Sequence, residues 1–185
     1  PKDGIIRFLS FGTINYAKNI DLLIDAACVL YDKVYRNFMV SINCMCKDWS
    51  FYQTKIKYPE LFDIDIRSID NSEIANLFAS TDYFVQPYRV VSQSGPTKIA
   101  FNYNIQIISS NLLGYSDEIL EGVNGYLFEP GNVNDLVRVM ANAIDMYACD
   151  YSKLKALMAE HTEQYYSFGR IASLYVKMFD DVLSK

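Results

Sequence analysis

Histidine is almost missing from this chain, cysteine is sparse, and no run of 18 apolar residues occurs in its 185 positions. The one histidine, His161, lies in a late, polar helical stretch, so no Ser-His-Asp arrangement is available, and too few ligands remain for a metal centre. Its late, polar, helical context predicts a surface position for His161. Cys28, Cys44, Cys46 and Cys149 show no C-x-x-C spacing, which argues against a metal site and leaves buried or idle thiols suited to a reducing cytosol. No signal peptide and no membrane-spanning segment can be read. Positive charge is also short: 17 Lys and Arg stand against 22 Asp and Glu, a net charge of -5. That balance argues against nucleic acid as a partner and against a broad basic membrane-facing patch. A G-x-G-x-x-G turn after the first strand is absent too, which argues against a dinucleotide or flavin domain.

What is present is an aromatic-rich globular composition, 15% aromatic and 51% apolar. A chain of this length suits one domain or one and a half and buries about 70% of its unfolded surface without staples. Residues 1–4 read as a linker. Short apolar runs at Ile5–Phe11, Phe38–Cys44, Phe62–Arg67, Tyr83–Gln86, Ile105–Ser109 and Tyr126–Phe128 read as strands. Helical spacing is seen at about 18–35, 49–57, 72–79, 95–103 and 132–147, with two more helices at about 151–164 and 168–183. Strands alternating with helices of that length give an α/β fold, a Rossmann-like doubly wound parallel sheet with helices on both faces. Ligands of such sheets bind outside the carboxyl ends of the strands, at the loops near Gly12, Asn43, Arg67, Pro87 and Ser109.

Three segments could carry chemistry. In Phe11–Asp21 (FGTINYAKNID), Gly12 permits close backbone approach, and Lys18 beside a helix start can meet a diphosphate or remain a solvated charge. In Pro87–Pro96 (PYRVVSQSGP), Ser94 can cap a helix with Pro96 in its first turn. The free N–H groups at Ser94 and Gly95 then either attract phosphate or simply begin a well-capped helix. In Glu121–Gly131 (EGVNGYLFEPG) the glycines serve a tight turn. Asp63 and Asp65 alternate on a strand and face solvent, while Asp117 and Glu118 serve a helix start.

Taken in order, FGTINYAKNIDLLIDA, IDNSEIANLFASTDYFVQPY, SQSGPTKIAFNYNIQIISS, EGVNGYLFEPGNVNDL and FGRIASLYVKMFDDVL resemble the C-terminal domain of the glycosyltransferase group 1 family. That domain is one half of the GT-B fold, and the third segment is similar to the branch with a Gln-Ser-Gly loop. The resemblance implies a single donor-binding domain over 1–185, whose helix at 168–183 packs back toward an acceptor-binding N-terminal domain absent from this chain. It implies a retaining enzyme of hexosyltransferase type, moving a sugar from a UDP- or GDP-sugar to a saccharide or lipid-linked acceptor in cell-surface polysaccharide synthesis. No cofactor and no metal are implied, and the catalytic residues are not specified. The location implied is cytoplasmic, at the inner face of the membrane through the missing domain, and the chain by itself is expected to transfer nothing. Donor contacts implied are Gly12, Thr13, Lys18, Asn19, Ser68, Ile69, Ser92, Gln93, Ser94 and Gly95, with Lys18 on the diphosphate and backbone at Ser68 and Ile69 on the base. The sequence departs from the family pattern at five places, one of them Leu113, which stands for the first of a glycine pair and leaves only Gly114. Val91 and Ile99 stand where many members have glutamates, Thr13 and Asn15 where a diphosphate-binding arginine is usual, Asn104 for a glycine and Gln106 for a proline. Those losses carry the alternative, a degenerate non-catalytic domain that binds sugar nucleotide or a partner.

Overall fold

The computed structural model describes residues 3–90 and 94–184. Six strands, β1 (Ile6–Thr13), β2 (Phe38–Met45), β3 (Phe62–Ile66), β4 (Tyr83–Gln86), β5 (Gln106–Ser110) and β6 (Gly125–Phe128), form one sheet in the order β3-β2-β1-β4-β5-β6. Every pairing is parallel. The helices are α1 (Ile20–Asp32), α2 (Trp49–Gln53), α3 (Asn71–Ala79), α4 (Gly95–Asn102), α5 (Leu113–Ser116), α6 (Val133–Tyr166) and α7 (Phe168–Leu183). The doubly wound sheet expected from the alternation of elements is the one observed.

Period-two side-chain alternation divides the core between the two faces. Ile6, Phe8, Val40, Ile42, Tyr83 and Val85 pack with α1 and the first half of α6. Leu9, Phe84 and Ile107 pack on the other face with Phe78 of α3, Phe101 of α4 and Tyr115 of α5. The strand order reverses between β1 and β4, so the switch point lies above the ends of those two strands.

Several local expectations change. β1 runs two residues beyond Phe11: Gly12 pairs with Cys44 and Thr13 with Met45, so the glycine sits inside the strand, at φ 121°, and the chain turns only after Thr13. The predicted helix at 49–57 stops at Gln53 and continues as turns. The two helices expected at 132–147 and 151–164 are one helix of 34 residues, α6. No glycine or proline occurs from 132 to 168 to break it. Asn132 opens α6 by accepting from Asp135 N at 3.1 Å, and Ser167 opens α7 by accepting from Arg170 N at 3.3 Å.

Asp117 and Glu118 do not begin a helix. Asp117 ends the four-residue α5, and Glu118 pairs with Lys98 at 2.8 Å. Asn104, in the place of the family glycine, takes φ 53°, a left-handed geometry that asparagine tolerates better than most side chains. The turn glycines behave as read. A Cβ on Gly125 would come within 2.2 Å of Ile107 O, so β5 and β6 can approach only with glycine there.

Candidate functional site

The carboxyl ends of β1 and β4 carry the two main segments into contact. After β1, Asn15 accepts from Ala17 N at 3.0 Å and stabilises a single 3-10 turn, Tyr16–Lys18. Lys18 therefore ends a turn two residues before α1, rather than lying within a helix. Its Nζ sits 3.7 Å from the centre of the Tyr88 ring, a cation–π contact that holds the amine over the switch point. Asn19, at φ 52°, is buried beneath the turn, and its Nδ2 finds no partner among the described residues.

Arg89 fastens this loop to the end of β4. Its backbone N–H donates to Ala17 O at 2.8 Å, its Nε to Tyr16 O at 3.2 Å, and its Nη2 reaches Asp21 at 3.1 Å. The arginine that the motif lacks at Thr13 and Asn15 is not replaced by a free one at Arg89, whose guanidinium is occupied by these partners.

Beneath α4 lies a buried polar hub. Gln86 is fully buried at the last position of β4; its Nε2 donates to Ser94 Oγ at 2.7 Å and its Oε1 accepts from Thr97 Oγ1 at 2.9 Å. This overturns the expectation that Ser94 caps α4. A buried amide left unpaired costs about 1–3 kcal/mol, more than a cap typically returns, so the hydroxyl is drawn inward. Among the described residues the first turn of α4 consequently has no side-chain cap, and a helix start of this kind attracts an anion. Pro96 of that turn lies above the sheet, its Cγ 4.0 Å from where a Gly12 Cβ would be. Ser92 and Gln93 lie outside the described residues.

Gly12, Thr13, Ser68 and Ile69 line a common cavity of about 140 Å³, together with Phe11, Asn43 and Arg67. Arg67 is held by Asp65 at 2.9 Å and Glu73 at 2.6 Å. The guanidinium in turn holds the Glu73 carboxyl down at about 2. Glu73 also accepts from Asp70 N, and Asp70 from Ser72 N, so the loop between β3 and α3 is tied down at its far end. Lys18 borders an adjoining cleft with Gly12, Thr13 and Tyr88.

Ten donor contacts were read from the resemblance. Gly12, Thr13, Lys18, Ser68, Ile69, Ser94 and Gly95 gather around the carboxyl edge, and Asn19 supports the loop from below. Residue reasoning missed Gln86 and Arg89, and it named Asn43 only as the place of a loop at the ligand-binding edge. A polar residue closing an otherwise apolar strand was the available signal for Gln86. Of the thiols, Cys44 is buried, and burial pushes its pKa up to about 12, which makes it a poor nucleophile. A larger cavity of about 460 Å³ opens at the opposite end of the sheet beside Arg7 and Asp82. Its main charges are already engaged, Asp3 with Arg7 and Asp82 with Arg7 N and Tyr147.

The model of the family described as glycosyl transferases group 1 matches residues 6–146. The chain belongs to that family. Among curated proteins, none matches the sequence. Solved structures place this family member on the C-terminal domain of the GT-B fold. It is similar to the catalytic domain of a cholesterol-α-glucosyltransferase from Helicobacter pylori, with a TM-score of 0.72 and 15% identity over 86% of this chain and 98% of that one. It is similar to the C-terminal domain of a glycosyl transferase group 1 family protein from Francisella tularensis, with a TM-score of 0.72 and 20% identity over 90% of each chain. It also matches Staphylococcus aureus TarM, solved with UDP, with a TM-score of 0.76 and 18% identity over 95% of this chain but 35% of that one.

Proposed function

We propose that this domain holds the sugar-nucleotide donor of a retaining glycosyl transfer, while a separate N-terminal domain presents the acceptor. The observation that carries the reading is the convergence on the β1/β4 switch point of Lys18, Gly12 and the start of α4, which no side chain caps among the described residues. A lysine, an open backbone and a helix dipole end are the parts needed to hold a diphosphate. The UDP in the TarM structure agrees with a nucleoside diphosphate here. Lys18 pairs with the diphosphate, α4 cradles phosphate or sugar, and the base enters the cavity at Ser68 and Ile69. Catalysis then consists mainly of positioning the donor and stabilising the departing diphosphate.

The acceptor is a saccharide or lipid-linked sugar of cell-surface polysaccharide synthesis, met at the cytoplasmic face of the membrane. The apolar face of α7 is where the acceptor-binding domain docks, and without that domain no transfer occurs. A donor-binding domain that has lost catalysis is the second reading. It is favoured by Ile99 in the place of a glutamate and by Arg89 being tied to Asp21.

Calorimetric titration with UDP, GDP and their sugar conjugates tests the donor site. Lys18→Ala is expected to weaken binding about 10- to 150-fold, the worth of one charge-assisted contact of about 1.5–3 kcal/mol. No binding of any nucleotide by the folded chain would remove the donor site. Turnover by the chain alone would remove the division of labour between domains.

A further inference from the structure

We propose that Tyr88 is a positioning residue, whose ring seats the Lys18 amine without cancelling its charge. The inference rests on the donor-site reading above and concerns how one lysine serves there without the family arginine, whose places are held by Thr13 and Asn15. Tyr88 follows β4 and is 2% exposed. Lys18 Nζ stands 3.7 Å from the centre of its ring. The ring is itself held in place. Its hydroxyl accepts from Gln86 Nε2 at 3.3 Å, and the same amide nitrogen donates its other hydrogen to Ser94 Oγ at 2.7 Å. The Tyr115 ring packs beside it, 6.0 Å between centres. Through these contacts Lys18 and the residue that precedes α4 are both fixed to one fully buried side chain, Gln86.

The two arginines near this edge are held differently. Arg67 lies 2.9 Å from Asp65 and 2.6 Å from Glu73, and Arg89 lies 3.1 Å from Asp21. A carboxylate that fixes a cation also neutralises it, which leaves little field for an incoming anion. Lys18 forms no ion pair among the described residues. An aromatic ring attracts the ammonium through its quadrupole and carries no net charge, so the positive charge stays available. The ring faces one side of the ammonium, and the three N–H donors can rotate to serve an oxygen on the other. A solvated lysine gives up rotamer freedom when it binds an anion, whereas a seated one has given it up beforehand. Both effects favour a phosphate group, and both are lost with the ring.

Two readouts on the chain test the seat. The first needs no ligand: the NMR signal of the Lys18 ε-methylene, assigned by its loss in Lys18→Ala, should be shifted upfield by the Tyr88 ring current. The shift should persist in Tyr88→Phe and vanish in Tyr88→Leu. The second is calorimetric titration with inorganic pyrophosphate. Tyr88→Leu should weaken it about 3- to 30-fold, while Tyr88→Phe, which keeps the ring, should stay within about twofold of the native chain. In a Lys18→Ala background Tyr88→Leu should change nothing further, because the ring acts only through the amine. An equal loss from Tyr88→Leu with and without Lys18 overturns the positioning role and leaves the donor site standing. If the Leu variant does not fold, the native signal decides alone, since an unshifted ε-methylene overturns the seat. Pyrophosphate binding that ignores Lys18→Ala, or no binding at all, removes the donor-site reading and this inference with it.

Discussion

Arg89 has a backbone amide, an Nε and an Nη2 all bonded to the segment that carries Lys18. Its guanidinium also lies 4.6 Å from the Tyr16 ring centre. A planar fork suits this combination of carbonyl, carboxylate and ring, and lysine does not reproduce it. In the donor-site reading proposed above, the side chain acts through Lys18, as a positioning residue. Arg89→Ala should therefore weaken nucleotide binding by roughly 5- to 30-fold, as loop order worth about 1–2 kcal/mol is lost. Arg89→Lys should recover only part of it. Calorimetry on both variants checks this, and an Arg89→Ala protein with full affinity would leave the arginine as surface packing. None of these contacts was legible in the sequence. They join residues about 70 positions apart, and a lone arginine after a strand carries no pattern.

At the scale of elements, the loop before β6 is latched to α6 through Asn124 and His161. Asn124 Oδ1 accepts from Leu120 N at 2.7 Å, and its Nδ2 donates to Glu118 O at 2.8 Å and lies 2.9 Å from His161 Nε2. Both amide hydrogens are spent, so the ring nitrogen must accept and His161 must be neutral. The surface histidine expected from the sequence is thus a buried one. The polar residues around it in a helix two faces wide concealed which side met the loop. Burial lowers its pKa below the usual histidine value. The unfolded chain therefore binds the proton more readily than the folded one, and stability is complete above about pH 6.5 and declines as pH falls below it. Urea midpoints at pH 7.5 and 5.5 should separate in the native protein. His161→Gln, which keeps an acceptor and removes the titration, should narrow that separation; an unchanged separation would assign the pH effect elsewhere.

For the whole molecule, the alternation of strands and helices made the sheet, its faces and its ligand-binding edge legible, because apolar period is a strong signal in Ile6–Phe11 or Tyr83–Gln86. The polar hub was not legible. Whether Ser94 caps α4 or serves Gln86 depends on a buried amide whose neighbour is set by tertiary packing. The tail was legible in pattern: α7 is amphipathic, yet Phe168, Tyr175, Phe179 and Leu183 are all exposed, and none of its residues is buried. Because α7 adds nothing to the core, a chain ending at Ser167 should melt within about 2 °C of the full chain. It should also self-associate less at high concentration, by sedimentation, once that apolar face is gone. A fall of about 5 °C or more would mean that α7 supports the sheet.

The unbroken α6 has a mechanical consequence. At about 50 Å, it is a strut rather than two jointed pieces. Its near half is embedded with α1, while at its far end Thr162 donates to Phe101 O at 3.2 Å and the Tyr166 ring lies 4.9 Å from that of Phe101. Phe101 belongs to α4, whose opposite end stands over Gly12. Torque applied where α7 departs has no flexible joint in which to dissipate before it reaches α4. The C-terminal surface and the cleft beside Lys18 are linked by two helices that meet at one aromatic pair.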